Sequence, residues 1–374
     1  MKNILVCLNN FDVGGVTAVV SSIYKRIDKN NFKMDFIAMK KNSSEFETEI
    51  LNNGDKIYYI SDCGLKHIPF FNYYIREREM IRNILDVVGK RKYDVVHIHA
   101  NAEVFLTAAK KMNVQIRILH THEAVTDFRG NEKKSKLTAI IWNSRLKMYN
   151  KLSTVKAGDS LNACKAKFGD AVVNDPKLQI IYPPVDMEKF NPKAYCKDDI
   201  IKEFDIDTNC FNMIHVGRLN PVKNQRFMID VLKEINKIKP SRLYIIGDGD
   251  LKDKLKAYAK EQGMEDNVIF LPGNTTPGIY TAMDCSLLPS FSEAFGMVAV
   301  ESQLMGVPCF ASDNVPKDVD IGMCSFMELD APKWAYNILN YNYDNAQVND
   351  CKKDKFSIDT IINQVSRLYN SELV

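Results

Sequence analysis

Apolar residues fall along this chain in two alternating rhythms. Short runs rich in β-branched side chains recur at Asn3–Leu8, Phe32–Met39, Lys56–Ile60, Tyr93–His99, Gln115–His120, Lys151–Val155 and Leu178–Ile181, of a length suited to strands buried on both faces. Between them apolar positions return every three or four residues, as in Val16–Ile27, Ile75–Val88 and Val104–Met112, the spacing that puts one face of a helix on a core. Strands alternating with helices predict a parallel sheet covered on both faces, because parallel neighbours need a crossover. Pro183-Pro184 stops the series, since Pro propagates neither a helix nor a central strand. The VDMEKFNP that follows reads as a polar, turn-forming connection. A second series begins at Asn212–Val216. It runs through helix Asn224–Ile238, strand Leu243–Ile246, helix Asp250–Gln262, strands Val268–Phe270 and Cys285–Leu288, helix Ala294–Met305 and strand Pro308–Ala311. Asn340–Lys355 reads as an exposed crossing loop before a last amphipathic helix, Ile358–Tyr369.

The pattern predicts an α/β chain of two doubly wound, Rossmann-like parallel-sheet domains with a hinge near residues 183–192. The first takes residues 1–188 with the closing segment 356–374, the second residues 189–355. In such sheets ligands sit beyond the carboxyl ends of the strands, so a cleft between two facing domains is the expected active site.

Composition narrows the class. With 374 residues, 45% hydrophobic and 26% charged, the chain is neither collagen-like nor largely disordered. Fifty basic against 47 acidic side chains give a net +3, too balanced for a nucleic-acid coat protein. The balance is uneven along the chain: residues 1–190 carry 30 basic and 21 acidic groups (+9), residues 191–374 carry 20 and 26 (−6). The two halves are therefore expected to face different partners. Nine scattered Cys without a CxxC read as reduced thiols and not as a disulfide framework or a zinc site. No apolar run reaches the roughly 18 residues of a membrane span, and MKNILVCLNNFDVGG lacks a small-residue cleavage site. A soluble, cytoplasmic protein is expected.

Candidate chemistry concentrates in the second series. PSFSEAFGMVAVESQLMGVP, residues 289–308, places Glu293 in a loop after a strand, Phe295-Gly296 at a helix start and Glu301 just over one turn into that helix. Backbone N–H groups at 296–298 and the positive end of the helix dipole suit a phosphate, with the two carboxylates within reach of sugar hydroxyls. An acidic pair that merely complements the dipole is the plain alternative. HVGRLNPVKN, residues 215–224, carries Arg218 and Lys223 between a strand and a helix, a pair of fixed cations suited to a diphosphate. In YIIGDGDL, Gly247 and Gly249 permit a tight turn and close backbone approach to a ligand, but the third glycine of a dinucleotide fingerprint is missing. That absence sets aside a nicotinamide dehydrogenase. Asp248-Gly249-Asp250 is one of three Asp-x-Asp matches and points to no metal.

Two features belong to the first series. Gly14-Gly15 after the first strand would let backbone N–H groups approach an anion. His97 and His99 share one side of a strand end, as do His120 and His122. Zinc takes such residues, yet no Cys cluster or HExxH accompanies them, and cleft-facing polar residues with one structural His per pair fit better. Arg129–Lys151 holds seven basic residues and one acidic, interleaved with Leu137, Ile140, Ile141, Trp142, Leu146, Met148 and Tyr149. It suits either an anionic bilayer surface or an ordinary packed helix.

Taken together, these residues resemble the retaining glycosyltransferases of family 4, of GT-B fold, and most closely the subgroup building bacterial capsular and exopolysaccharides. The resemblance rests on the N-terminal GG, DVVHIH, RILHTH, YPPVDMEKF, GRLxxxKN, GDG, PSxxExFGxxxxE and the closing helix. It implies a nucleotide-sugar donor, UDP by preference, and a saccharide or lipid-linked acceptor, with neither metal nor cofactor. Arg218 and Lys223 would hold the diphosphate, Glu301 the ribose and Glu293 the transferred sugar. Phe295, Gly296 and Met297 would line the phosphate and sugar, with Gly14, Gly15, Gly247 and Gly273 at the donor. His120, with His122 as fallback, would be the catalytic histidine. The basic stretch at 129–151 departs from the neutral loops of many relatives and fits a lipid-linked acceptor at an anionic membrane face. A catalytically silent GT-B accessory subunit and a nucleotide-sugar epimerase are the alternative readings.

Overall fold

The computed structural model describes residues 1–12, 14–41, 43–60, 71–100, 102–123 and 136–372. The chain divides into two units, passing from the first to the second after Pro184 and back again at Ile358. The N-terminal unit is built on a seven-stranded sheet of β1 (Lys2–Leu8), β2 (Phe32–Ala38), β3 (Ile57–Tyr59), β4 (Val95–Ile98), β5 (Ile116–Thr121), β6 (Val155–Gly158) and β7 (Leu178–Ile180). The order is β3-β2-β1-β4-β5-β6-β7, and every pairing is parallel. Its helices are α1 (Gly15–Arg26), α2 (Glu45–Asn52), α3 (Phe71–Val88), α4 (Ala102–Lys111), α5 (Lys136–Leu152) and α6 (Leu161–Phe168). Alternation along β1 shows why both faces are covered. Ile4, Val6 and Leu8 enter one core with Val20, Ile23 and Tyr24 of α1, while Leu5 and Cys7 enter the other with Phe105 and Leu106 of α4.

The C-terminal unit repeats the plan with six strands: β8 (Phe211–Val216), β9 (Ser241–Ile246), β10 (Val268–Leu271), β11 (Cys285–Leu288), β12 (Cys309–Ser312) and β13 (Cys324–Met327), in the order β10-β9-β8-β11-β12-β13. Its helices are α7 (Lys197–Glu203), α8 (Gln225–Asn236), α9 (Lys252–Glu261), α10 (Met297–Leu304), α11 (Ala331–Leu339) and α12 (Asp350–Lys353). The last helix, α13 (Ile358–Tyr369), packs on the N-terminal unit. Ile361, Val365, Leu368 and Tyr369, spaced four, three and one apart, bury one stripe in the core beside β1. Gln364 Nε2 donates to the Ile180 carbonyl at 2.8 Å, and Lys2 Nζ to the Tyr369 carbonyl at 2.7 Å.

In both sheets the strand order reverses beside the first strand, between β1 and β4 and between β8 and β11. Connections leave such a point toward opposite faces and open a crevice at the carboxyl ends of the strands. The second reversal brings the loop after β8 next to the loop after β11.

Three sequence expectations need correction. Of the strand expected at Lys151–Val155, Lys151 and Leu152 are the end of α5, and the strand itself is Val155–Gly158. The apolar residues there follow a helical rhythm through Leu152 and only then an extended one. The strand β13 was not anticipated, because Cys324–Met327 is half-buried at the sheet edge and lacks a β-branched run. The crossing segment Asn340–Lys355 is partly regular and includes α12.

Candidate active site

Chemistry-bearing side chains gather at the carboxyl ends of the strands in each unit. In the C-terminal unit they begin with the loop after β8. His215, buried in that strand, donates from Nδ1 to the Leu287 carbonyl at 2.9 Å, which leaves Nε2 to accept from Gln225 Nε2 at 3.4 Å. Gln225 Nε2 also donates to the Arg218 carbonyl at 2.9 Å. The backbone at Arg218 is thus pinned from below while its side chain is exposed and, among the described residues, forms no ion pair. Further on, a short turn at Pro221–Lys223 ends in Asn224 at φ 54°, whose side chain donates to the Pro289 carbonyl at 3.2 Å. The Phe291 N–H donates to the Val222 carbonyl at 2.8 Å. These bonds tie the loops after β8 and β11 together, and across them Lys223 Nζ meets Glu293 Oε1 at 2.6 Å, with the Ser290 hydroxyl donating to the same oxygen at 2.6 Å.

Gly296, at φ 101°, is the N-cap of α10 and offers no side-chain cap. Its left-handed backbone, together with a Cβ position 3.3 Å from Leu288 Cδ2, explains the glycine. Phe295 is buried against Phe356, ring centroids 5.4 Å apart. Glu301, one turn into α10, has no hydrogen bond from a protein donor to its carboxylate among the described residues. Burial pushes its carboxyl up to about 7, against the opposing pull of Lys189.

Gly247 and Gly249 are required by the packing of their own loop. A Cβ on Gly247 would lie 2.1 Å from the Gly217 carbonyl oxygen, and one on Gly249 2.3 Å from that of Leu219. The close backbone approach is to the neighbouring loop, laced to it by Gly217 N–H to Ile246 O and Leu219 N–H to Asp248 O, both 2.9 Å. Gly273 packs loosely by comparison, its Cβ position 3.7 Å from Gly247 Cα.

In the N-terminal unit, Gly14 has an extended backbone, and a Cβ on Gly15 would meet nothing within 4 Å. Neither glycine is required by its own conformation or packing. At the ends of β4 and β5 the four histidines form two facing pairs: His97 Nε2 to His120 Nδ1 at 3.2 Å, and His99 Nδ1 to His122 Nε2 at 2.7 Å. The Tyr369 hydroxyl of α13 reaches His97 Nδ1 at 2.8 Å. Asp159, just past β6, closes the group, with Oδ2 2.9 Å from His122 Nδ1 and Oδ1 3.3 Å from His120 Nε2. Burial drives His97 and His99 well below the ordinary imidazole range and His120 to about 4. Burial also pushes the Asp159 carboxyl up, but His122 and His120 outweigh it and hold it at about 2. His120 has both ring nitrogens facing protein groups and a fully buried side chain, whereas His122 lies nearer solvent. Asp159 escaped the sequence reading because the strand before it was set four residues early. Its signal is a carboxylate ending a buried run, directly before Ser160, the N-cap of α6.

Of the basic stretch 129–151, residues 129–135 lie outside the described residues. The rest forms α5, where Ile140 and Trp142 are 61% and 42% exposed, Tyr149 is buried, and Arg145 pairs with Glu103 at 3.5 Å. No described helix is long and apolar enough to cross a membrane.

A family profile described as glycosyl transferases group 1 matches residues 197–320. The putative glycosyltransferase EpsF of Bacillus subtilis (strain 168) is 25% identical over 330 residues, covering 86% of this chain and 82% of the relative. The UDP-Gal:alpha-D-GlcNAc-diphosphoundecaprenol alpha-1,3-galactosyltransferase of Escherichia coli is 29% identical over 64% of this chain and 62% of its own length. Among solved structures, Anabaena Alr3699/HepE in complex with UDP and glucose matches 99% of this chain and 100% of its own, with TM-score 0.74 at 18% identity. That likeness shows the fold.

Proposed function

From the group 1 glycosyl transferase match over residues 197–320 and the GT-B fold, we propose that this chain moves a sugar from a UDP-sugar to an acceptor hydroxyl with retention at the anomeric carbon. The acceptor is a lipid-linked saccharide of cell-surface polysaccharide synthesis. It binds the N-terminal unit, and the donor binds the C-terminal unit. One observation carries the reading: Arg218, the Lys223–Glu293 pair, the uncapped start of α10 and the undonated carboxylate of Glu301 all lie at the β8/β11 reversal. The E. coli relative, a galactosyltransferase acting on a diphosphoundecaprenol-linked sugar, supports the donor and acceptor classes.

In the proposed reaction the bond from the anomeric carbon to the diphosphate oxygen breaks. The acceptor oxygen bonds to that carbon from the same face, and its proton passes to the departing phosphate. Arg218, Lys223 and the N–H groups opening α10 stabilise the charge growing on the leaving group, so the donor site needs no metal. Glu293, held by Lys223 and Ser290, is fixed for the sugar hydroxyls. Thermal stabilisation by UDP-, GDP-, ADP- and dTDP-sugars tests the donor. A UDP-sugar at about 100 times its Kd should stabilise the fold by about 2.7 kcal/mol. A shift confined to another nucleotide would replace UDP in this reading, and no shift with any would overturn it.

Glu301 makes the binding pH-dependent. Ribose hydroxyls donate to a carboxylate, so the bound state favours the ionised form, while the free fold holds the group at about 7. UDP-sugar affinity should therefore rise as pH rises through about 7, and fall about tenfold per unit well below it. Binding near that pH should release about half a proton, read by calorimetry in buffers of different ionisation enthalpy. Glu301→Gln should abolish the release. Because the folded value is raised, the same group stabilises the free protein below the ordinary carboxyl range, and that contribution is lost as pH rises through about 7.

A further inference from the structure

We propose that Asp159, His120 and His122 form a binding site for one divalent first-row transition-metal ion in the N-terminal unit, apart from the donor chemistry above. Sequence spacing placed histidines in pairs. Only the fold adds a carboxylate to them, at the end of the adjacent strand. His122 Nδ1 lies 2.9 Å from Asp159 Oδ2, and His120 Nε2 lies 3.3 Å from Asp159 Oδ1. Donor atoms bonded to one ion at about 2.0–2.2 Å stand roughly 3 Å apart, so both spacings are those of neighbouring ligands. His120 Nε2 and Asp159 Oδ1 are buried and face each other, yet neither has an aligned hydrogen bond. An ion placed between them would bond to both.

The surroundings are those of a metal site. Ligating imidazoles need their other nitrogen held so that tautomer and ring plane are set. His120 Nδ1 is held by His97 Nε2 at 3.2 Å, His97 in turn by the Tyr369 hydroxyl at 2.8 Å, and His122 Nε2 by His99 Nδ1 at 2.7 Å. With the ion present, each ligand histidine donates from its far nitrogen to its partner. The protons shift between tautomers and none is lost. Nitrogen ligands with a single carboxylate select zinc, cobalt, nickel, manganese or iron over calcium and magnesium. The Asp159 and His122 side chains, both more exposed than the fully buried His120, give the side of entry.

The test reads metal and not turnover, so its failure is distinct from failure of the donor reading. The full chain, stripped by chelator, is titrated with cobalt(II) and zinc(II), following cobalt d–d absorption, zinc competition and bound metal per chain by mass spectrometry. One ion per wild-type chain is expected, with affinity lower by about tenfold or more in His122→Ala and in Asp159→Asn. His97→Ala should lower affinity less, through the loss of its hold on His120. If Asp159→Asn fails to fold, His122→Ala decides by itself. Absence of stoichiometric binding by the wild type, or binding unchanged in His122→Ala, would overturn the site.

Discussion

Arg218→Ala is expected to slow sugar transfer by about 10²–10³-fold while moving the melting temperature by no more than about 2 °C. Both halves follow from how the residue is held. Its backbone carbonyl, and not its side chain, does the structural work, accepting from Gln225 Nε2 at 2.9 Å. The guanidinium is exposed and has no carboxylate partner among the described residues, so removing it leaves no buried charge unpaired. In the proposed reaction, what is lost is a fixed cation at the point where negative charge grows on the leaving diphosphate. Lys223→Ala is a less clean experiment, because it strips Glu293 of its 2.6 Å partner as well. Turnover of the donor and a denaturation curve on the same preparation settle the matter. Near-normal turnover would remove Arg218 from the site, and a large drop in stability would give it a structural role instead.

The second large effect is on folding. Gly247→Ala should destabilise the C-terminal unit by more than about 3 kcal/mol, enough to appear as loss of soluble protein or a much lower denaturation midpoint. The added methyl would lie 2.1 Å from the Gly217 carbonyl oxygen, at φ 140°. The three atoms it meets are all backbone of Gly217, just past the central strand β8, where there is no flexible side-chain tip to move aside. Gly273→Ala is the matched comparison. Its nearest neighbours, at 3.7 and 3.9 Å, are at ordinary contact distance, so its stability should stay within about 1 kcal/mol. Loss of UDP-sugar binding in that variant would then report on the ligand. A stable Gly247→Ala protein would show that the two loops are not packed as described.

The contrast between these glycines marks how far the residues alone could be read. GDG after a buried strand signals a place that excludes side chains, and that much is local. Whether a ligand or another loop occupies the space depends on the neighbour, which lies some thirty residues away in sequence. The histidines divide in the same way. Alternation put His97 with His99 and His120 with His122, and the register of β4 on β5, with His97 opposite Ile118, turned two pairs into one cluster. Asp159 entered that cluster from a third strand whose start was misread, and Tyr369 from the far end of the chain. Among the short helices, α2 carried a legible signal in the Ser44–Glu47 capping box, but eight residues of weak apolar pattern did not bring it out.

The sequence by itself determined the class of fold, most of its strands and the break at Pro183-Pro184, because strand and helix periodicities and turn chemistry act over a few neighbouring positions. Tertiary structure alone decided that Lys223 meets Glu293, that Gly247 yields to a backbone carbonyl, that burial lifts the Glu301 carboxyl toward neutrality, and that one carboxylate bridges two histidines. Each depends on strand order in a parallel sheet, where neighbours in space are separated in sequence by a crossover, and on desolvation, which is a property of the packed core and not of the residue.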